Sequence, residues 1–597
     1  MVFSLLVWIY TLVFVFLYGW LAVRLLERLF ACADGRQTLP FPLIWAAGLA
    51  LSTSLASILS LFIKIGLAAH AILLAGAVFS LMIHFKQIRC WIESAWIKIK
   101  STSPLVWVLA ALAVVTLLEI STLKPANPDT EIYHAQAIHW IESYPAVPGL
   151  GNLHTRLAYD SSWLVANALF SFSFLKLRSF HLLGSVLFLL CLIYFIGGLN
   201  RLIRREVCPS AVLKVLLLPV IFLIFGSESS SPGTDLPAAL LIWIIILGWV
   251  ELIESGQGTR GLPAILLLLL SVFTVTIKLY GAPLLLAGIF LFLRPPRAET
   301  ALNPEQVSSP GRDFSEDLVK GGLSFWLKTV LVAGLILLPW LARNVILSGY
   351  LVYPFPTVDI FQFDWKIPHD RAVIEQQVIQ AWARIPGSRL SEVSSMSLHT
   401  WLRTWFNSQT GNRRIILLVV LGAPLAYLLL ALLLRKRLAA VGRAFRPYLL
   451  VYLVVYAGVI FWFVSAPDIR FGYGYLMIAF LLVLLPPFYY GLRWAALSNW
   501  RFDKISLLLL LLLILYQGSV LALSLDTKSI ANRLVLPADY VNLPTHPCQF
   551  HNFEIACADQ FSVCGYSAFP CAPQADPAVA QRGKHLQDGF FYEVPIK

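Results

Sequence analysis

The chain is 597 residues long, 58% hydrophobic and only 13% charged. That composition excludes an ordinary soluble domain, and uncharged runs such as 507–516 and 265–277 call for lipid as the main solvent. A formal net charge of +13 would point to nucleic acid in a soluble protein. Here the basic residues sit in short loops between apolar spans, so the charge reports orientation in a membrane, and no nucleic-acid partner is expected.

Inside a bilayer every backbone polar group must be paired within the protein, which leaves helices or a closed barrel. The apolar runs are continuous rather than alternating, so an all-α polytopic bundle is expected. The first span, 2–23, lacks a basic leading segment and a small-residue cleavage site, so it reads as a span and not as a cleavable signal. Spans at 41–62 and 66–84 complete an N-terminal group, residues 1–103. A core over 104–524 follows, with spans at 104–122, 179–198, 211–226, 236–254, 261–277, 279–293, 325–347, 413–434, 447–464, 475–492 and 505–524. The total is about fourteen, each near the length that crosses ~30 Å of hydrocarbon.

Alternating these spans puts Lys86, Arg89, Lys98 and Lys100, then Arg201, Arg204 and Arg205, then Arg294 and Arg297, then Arg435–Arg437, then Arg493, Arg501 and Lys504 on one side. The cytoplasmic bias of Lys and Arg makes that side the cytoplasm of an inner membrane, with both termini external. The apolar segment 163–174 is too short to span and reads as a helix in the outer interface. The external segments are then 123–178, 227–235, 348–412, 465–474 and the tail 525–597; the polar stretch 294–322 is a cytoplasmic loop. The tail holds Cys548, Cys557, Cys564 and Cys571 in a Pro-rich segment with little to form a core. Two disulfides in an oxidising compartment would staple it, and the absence of a CxxC pair argues against zinc.

The loop 123–178 carries most of the chemistry. Asn127, Pro128 and Asp129 suit the start of a short amphipathic helix over 131–142, with Asn127 as cap and Asp129 at the positive helix end. Capping does not account for His134, His139, His154, Arg156 and Asp160 in the same loop. Titratable groups gathered beside a membrane point to function. Asp129 or Glu131 can act as a general base, with His134 assisting. The same three residues can instead bind a divalent metal, with which their spacing is compatible without being diagnostic. A lipid phosphate needs cations at the membrane surface. Candidates are Lys278, which interrupts an apolar run, and Arg343 with Asn344 at the end of span 325–347. Arg470 in the Ala-Pro-Asp-Ile-Arg-Phe-Gly loop is another, with Asp468 either pairing it or shaping a turn. His154, Arg156 and Asp160 join them as substrate-binding candidates. The Ser-rich turn 226–235 ends in Asp235, which reads as a helix cap. There is no Walker motif, HExxH or GxSxG, which argues against an ATP-driven pump, a zincin and a serine hydrolase.

An acid motif in the first long external loop of a polytopic core resembles the GT-C superfamily of glycosyltransferases, in the manner of the protein-O-mannosyltransferase-like and lipid A aminoarabinose transferase-like enzymes. The resemblance covers about residues 104–597 in architecture. It extends, through the Ala-Pro-Asp-Ile-Arg-Phe-Gly loop, Arg343-Asn344 and the Cys-containing tail, to a group of uncharacterised bacterial membrane proteins. It implies a GT-C-like helical bundle, with Asp129 and Glu131 as the acidic pair, here separated by Thr130, and with surface helices at 131–142 and 163–174. It also implies transfer of a sugar from a polyprenyl-phosphate donor, among membrane lipids, to a glycan, lipid or protein acceptor. A polysaccharide polymerase or ligase, and a transporter or flippase with Lys278 at a broken helix, are the competing expectations.

Overall fold

The computed structural model describes residues 1–31, 39–176, 178–256, 261–288, 314–433, 441–498, 500–523, 531–559 and 563–593. Cys32, Arg294, Arg297, Arg435–Arg437 and most of the loop 294–322 lie outside the described residues. Eleven described helices are long and apolar enough to cross a membrane, so the chain is a helical membrane protein. Three further expected spans fall on apolar helices shorter than that length, Pro209–Phe225, Leu262–Ile277 and Leu279–Gly288.

Burial separates central helices from peripheral ones. Asp235–Glu254 is the most enclosed, with Leu240, Trp243, Ile244 and Leu247 fully buried. Gly411–Leu433 and Asp503–Leu523 instead leave Leu421, Leu425, Leu511 and Leu515 exposed on the outside of the bundle, as lipid-facing helices do. The helix Ser162–Leu169, expected in the outer interface, has every residue buried, so it packs against the protein and does not present an apolar face to lipid. Ser161 caps it through the Trp163 N–H and donates its hydroxyl to the Ile277 carbonyl.

The polar insertions collect at one end of the bundle. The Met1 amino group donates to the Arg533 carbonyl, the Ala538 N–H to Thr122, the Gly149 N–H to Ile346 and the Phe590 N–H to Pro148. Trp405 Nε1 donates to the Pro467 carbonyl. Arg204 bonds Ser101 and Arg201 approaches Glu254, which joins two of the cationic turns to a helix end.

The tail folds further than its composition promised. β1 (Thr545–Gln549) pairs antiparallel with β2 (Glu554–Ala558), which pairs parallel with β3 (Cys571–Ala572). β4 (Val579–Gln581) and β5 (Phe590–Tyr592) form a second antiparallel pair. Disulfides Cys548–Cys557 and Cys564–Cys571 are both formed. The missing core is supplied by the loop beneath: Phe569 and Phe590 pack on Trp140 at 5.1 and 6.1 Å between ring centroids. The segment 564–571 also grips the helix Ala135–Ser143. Gln136 donates to the Gly565 and Ala568 carbonyls, and the Gly565 N–H donates to Glu131.

Candidate functional site

Four stretches far apart in sequence meet at the loop-bearing end. Arg470 donates to Asp129 Oδ2 at 2.8 Å and approaches Asp235 Oδ2 at 3.4 Å, and Lys278 donates to Asp235 Oδ1. The result is an alternating chain, Asp129–Arg470–Asp235–Lys278. Phe471 carries both cations on its ring, Lys278 at 4.2 Å and Arg470 at 5.1 Å.

Each member is held by its local structure. The Asp129 N–H donates to Asn127 Oδ1 at 2.9 Å, and Asn127 Nδ2 donates to Glu228 at 2.9 Å. Ser231 Oγ accepts from the Ala126 and Asn127 N–H groups, so the Ser-rich turn is the brace of the Asp129 segment. Gly233 permits that approach, since a Cβ there would stand 2.9 Å from Asn127 Nδ2. Lys278 sits in extended conformation (φ −155°, ψ 129°) where the helix Leu262–Ile277 breaks before a 3-10 helix. Asp468 caps the helix Ile469–Leu497 by accepting the Arg470 N–H at 2.8 Å, and the Trp462 indole donates to its carbonyl. Asp468 therefore shapes a turn; its side chain does not form an ion pair with Arg470. The residues after it are helical, not a loop, and Tyr475 is buried against Tyr280.

Asp235 also departs from expectation. It begins the helix Asp235–Glu254 without a side-chain capping bond, and its carboxylate bridges the two cations. An acid at a helix start looks like a cap in sequence; only its being 7% exposed beside Lys278 and Arg470 distinguishes it.

The electrostatics follow from this packing. Burial by itself would raise the Asp129 carboxyl, but the positive charges around it, Arg470 first and then Arg156 and Lys278, outweigh it and hold the group below its usual range, ionised at neutral pH. His134 is 2% exposed, and neither ring nitrogen has a partner among the described residues. Burial pushes its pKa down to about 4 against the pull of Asp129 and Asp235, so it is a neutral imidazole. Burial also raises Asp468 and Glu228.

Glu131 is not part of this chain. Its carbonyl meets Gly565 and its charge acts on Tyr540, both on the tail. Asp129, Glu131 and His134 thus do not form a ligand set, and among the described residues no three His, Cys, Asp or Glu side chains are placed to hold a metal ion. Asp160, Arg343 and Asn344 make a separate structural unit. Arg343 donates to Asp160 at 3.0 Å and to Ser60 at 2.8 Å, and Trp340 donates to the Asp160 carbonyl. The adjoining cavity is about 20 Å³, room for about one water. Asn344 bonds Trp340 and accepts the Tyr353 N–H. Arg156, on the turn Thr155–Ala158, acts on Asp129, while His154 precedes that turn, and burial followed by the charge of Arg156 takes His154 down to about 3. His139 is stacked between Tyr566 and Phe569 of the tail. Sequence reasoning also missed Glu142, a buried carboxylate that accepts from Ser179 and Tyr566.

Fold and site together define a polytopic helical membrane protein with a buried charged centre at one end of its bundle. The chain belongs to the family described as Domain of unknown function (DUF8201), whose model matches residues 1–303 and 317–477. The match contains all four charged residues of the site. No curated protein and no solved structure matches the chain.

Proposed function

We propose that the protein is a membrane glycosyltransferase. It moves a sugar from a polyprenyl-phosphate carrier to a lipid, glycan or protein acceptor at the outer face of the cytoplasmic membrane, with both termini on that face. The observation that carries this reading is the Asp129–Arg470–Asp235–Lys278 chain, which fixes an ionised carboxylate at the end of a lipid-embedded bundle beside an unpartnered neutral imidazole.

Asp129 accepts the proton of the acceptor hydroxyl as that oxygen attacks the anomeric carbon and the phosphate departs. Arg470 keeps Asp129 ionised and oriented, and Asp235 keeps Arg470 and Lys278 in place. His134 is available for a hydrogen bond to sugar or acceptor, as either donor or acceptor. The side assignment rests on the Lys and Arg bias of the opposite loops and on the two disulfides in the tail.

The test is transfer of labelled sugar from prenyl-phosphate donors by the protein in proteoliposomes. A carboxylate held below its usual pKa is a weak base, so Asp129→Asn is expected to lose about 100-fold in rate, the lower end of what a positioned base supplies. Transfer by Asp129→Asn at the wild-type rate would end the assignment.

A further inference from the structure

The cations of the site are not equally free. Arg470 and Lys278 face Asp129 and Asp235, so two positive charges meet two negative ones within the protein. Arg343 is taken up by Asp160. These three phosphate candidates are each already neutralised.

Arg156 differs. It stands on the turn Thr155–Ala158, which packs against the turn Thr130–His134 next to Asp129. It is half-buried, and among the described residues its guanidinium has no hydrogen bond or ion pair. Its charge nevertheless acts on Asp129, Tyr133, His154 and Tyr159, which locates it at the edge of the site. Tyr133 meets Tyr159 edge-on at 5.6 Å, and Tyr159 lies 6.0 Å from Tyr353, so a file of tyrosines adjoins it. Nearby polar groups are also unpartnered among the described residues: Thr130 Oγ1, both His134 nitrogens and the Tyr353 hydroxyl. Glu375, a carboxylate bonded to the same stretch, accepts from Thr155 and Tyr159.

A half-buried guanidinium with five free donors, beside hydroxyls and a neutral imidazole, matches an oxyanion in charge and hydrogen bonding. We propose that Arg156 is the anchor for a phosphate group of the substrate. The inference deepens the transferase reading and rests on it for the substrate class; the guanidinium grips the phosphate in two-point fashion while Asp129 stays paired with Arg470. The phosphate can belong to a lipid carrier or arrive free from water, and the two sources are separable.

The full-length protein is placed in phosphatidylcholine nanodiscs. Its melting temperature is followed against a long-chain prenyl monophosphate in the disc and, separately, inorganic phosphate in solution. Stabilisation of the wild type by at least one probe is expected. Arg156→Gln should weaken that response at least 10-fold, Arg156→Lys should retain part of it, and Lys584→Gln on the exposed tail should leave it unchanged. A response to the prenyl phosphate alone assigns a lipid source, and a response to both assigns a general phosphate site. Arg156→Gln responding like wild type, or a wild type that responds to neither probe, overturns the inference. The readout is binding, so a protein that binds phosphate through Arg156 but transfers no sugar defeats only the transferase reading. One that transfers sugar yet binds normally as Arg156→Gln defeats only this one.

Discussion

Arg343 is a sharp case, because two roles for it predict opposite results. Its side chain is 4% exposed and that of Asp160 is 3% exposed, so both charges have left water. Asp160 Oδ2 has no partner among the described residues, and Oδ1 depends on Arg343. Arg343→Met removes the compensating charge and strands a buried carboxylate, at a cost of about 3–5 kcal/mol. Burial already raises the Asp160 carboxyl, with Arg343 opposing it. Without Arg343 the folded-state pKa rises further, so the folded protein takes up a proton more readily than the unfolded chain and the deficit shrinks as pH is lowered. The double variant Asp160→Asn/Arg343→Met should recover most of the loss. The assay is thermal unfolding in detergent by tryptophan fluorescence, with size-exclusion chromatography as the check on aggregation. An Arg343→Met protein that melts like wild type but has lost activity would refute this reasoning and return Arg343 to substrate binding.

Asp468 should behave as a cap: Asp468→Asn is expected to be nearly silent, whereas Asp468→Ala costs about 1 kcal/mol in the same melt. His134 has a folded pKa of about 4, below the ordinary value of 6.5. Its contribution is present above about 6.5, amounts to about 3 kcal/mol at most, and is lost as pH falls toward 4. His134→Gln should flatten stability over that window in a pH series of melts. The Cys564–Cys571 bridge, with a sequence separation of 7, closes a short loop worth about 2–3 kcal/mol. The double Ser variant should loosen the grip on Gln136, read as faster hydrogen exchange across Ala135–Ser143.

The bundle was legible because hydropathy is a local property: eleven long apolar helices and three shorter ones fall where continuous apolar runs lie. Asp129, His134, Lys278 and Arg470 were legible as candidates because charge beside lipid is costly and therefore conspicuous. Their pairing was not, because it is made between segments more than three hundred residues apart in the case of Arg470 and Asp129. Asp235 was hidden by a local rule that explained it too well, the preference for acids at helix starts. Arg343 was misleading for the opposite reason: its partner Asp160 lies 183 residues away, so a buried structural pair looked like two free binding groups. The tail was underestimated because its core residues belong to the loop it covers, with Trp140 the anvil for Phe569 and Phe590.

The most direct test compares envelope glycans by mass spectrometry in cells lacking the protein, complemented with wild type or with Asp129→Asn at equal membrane abundance. A glycan species lost in the deletion should return with wild type and stay absent with Asp129→Asn. Full return with Asp129→Asn, or no glycan difference between deletion and wild type, would contradict the account.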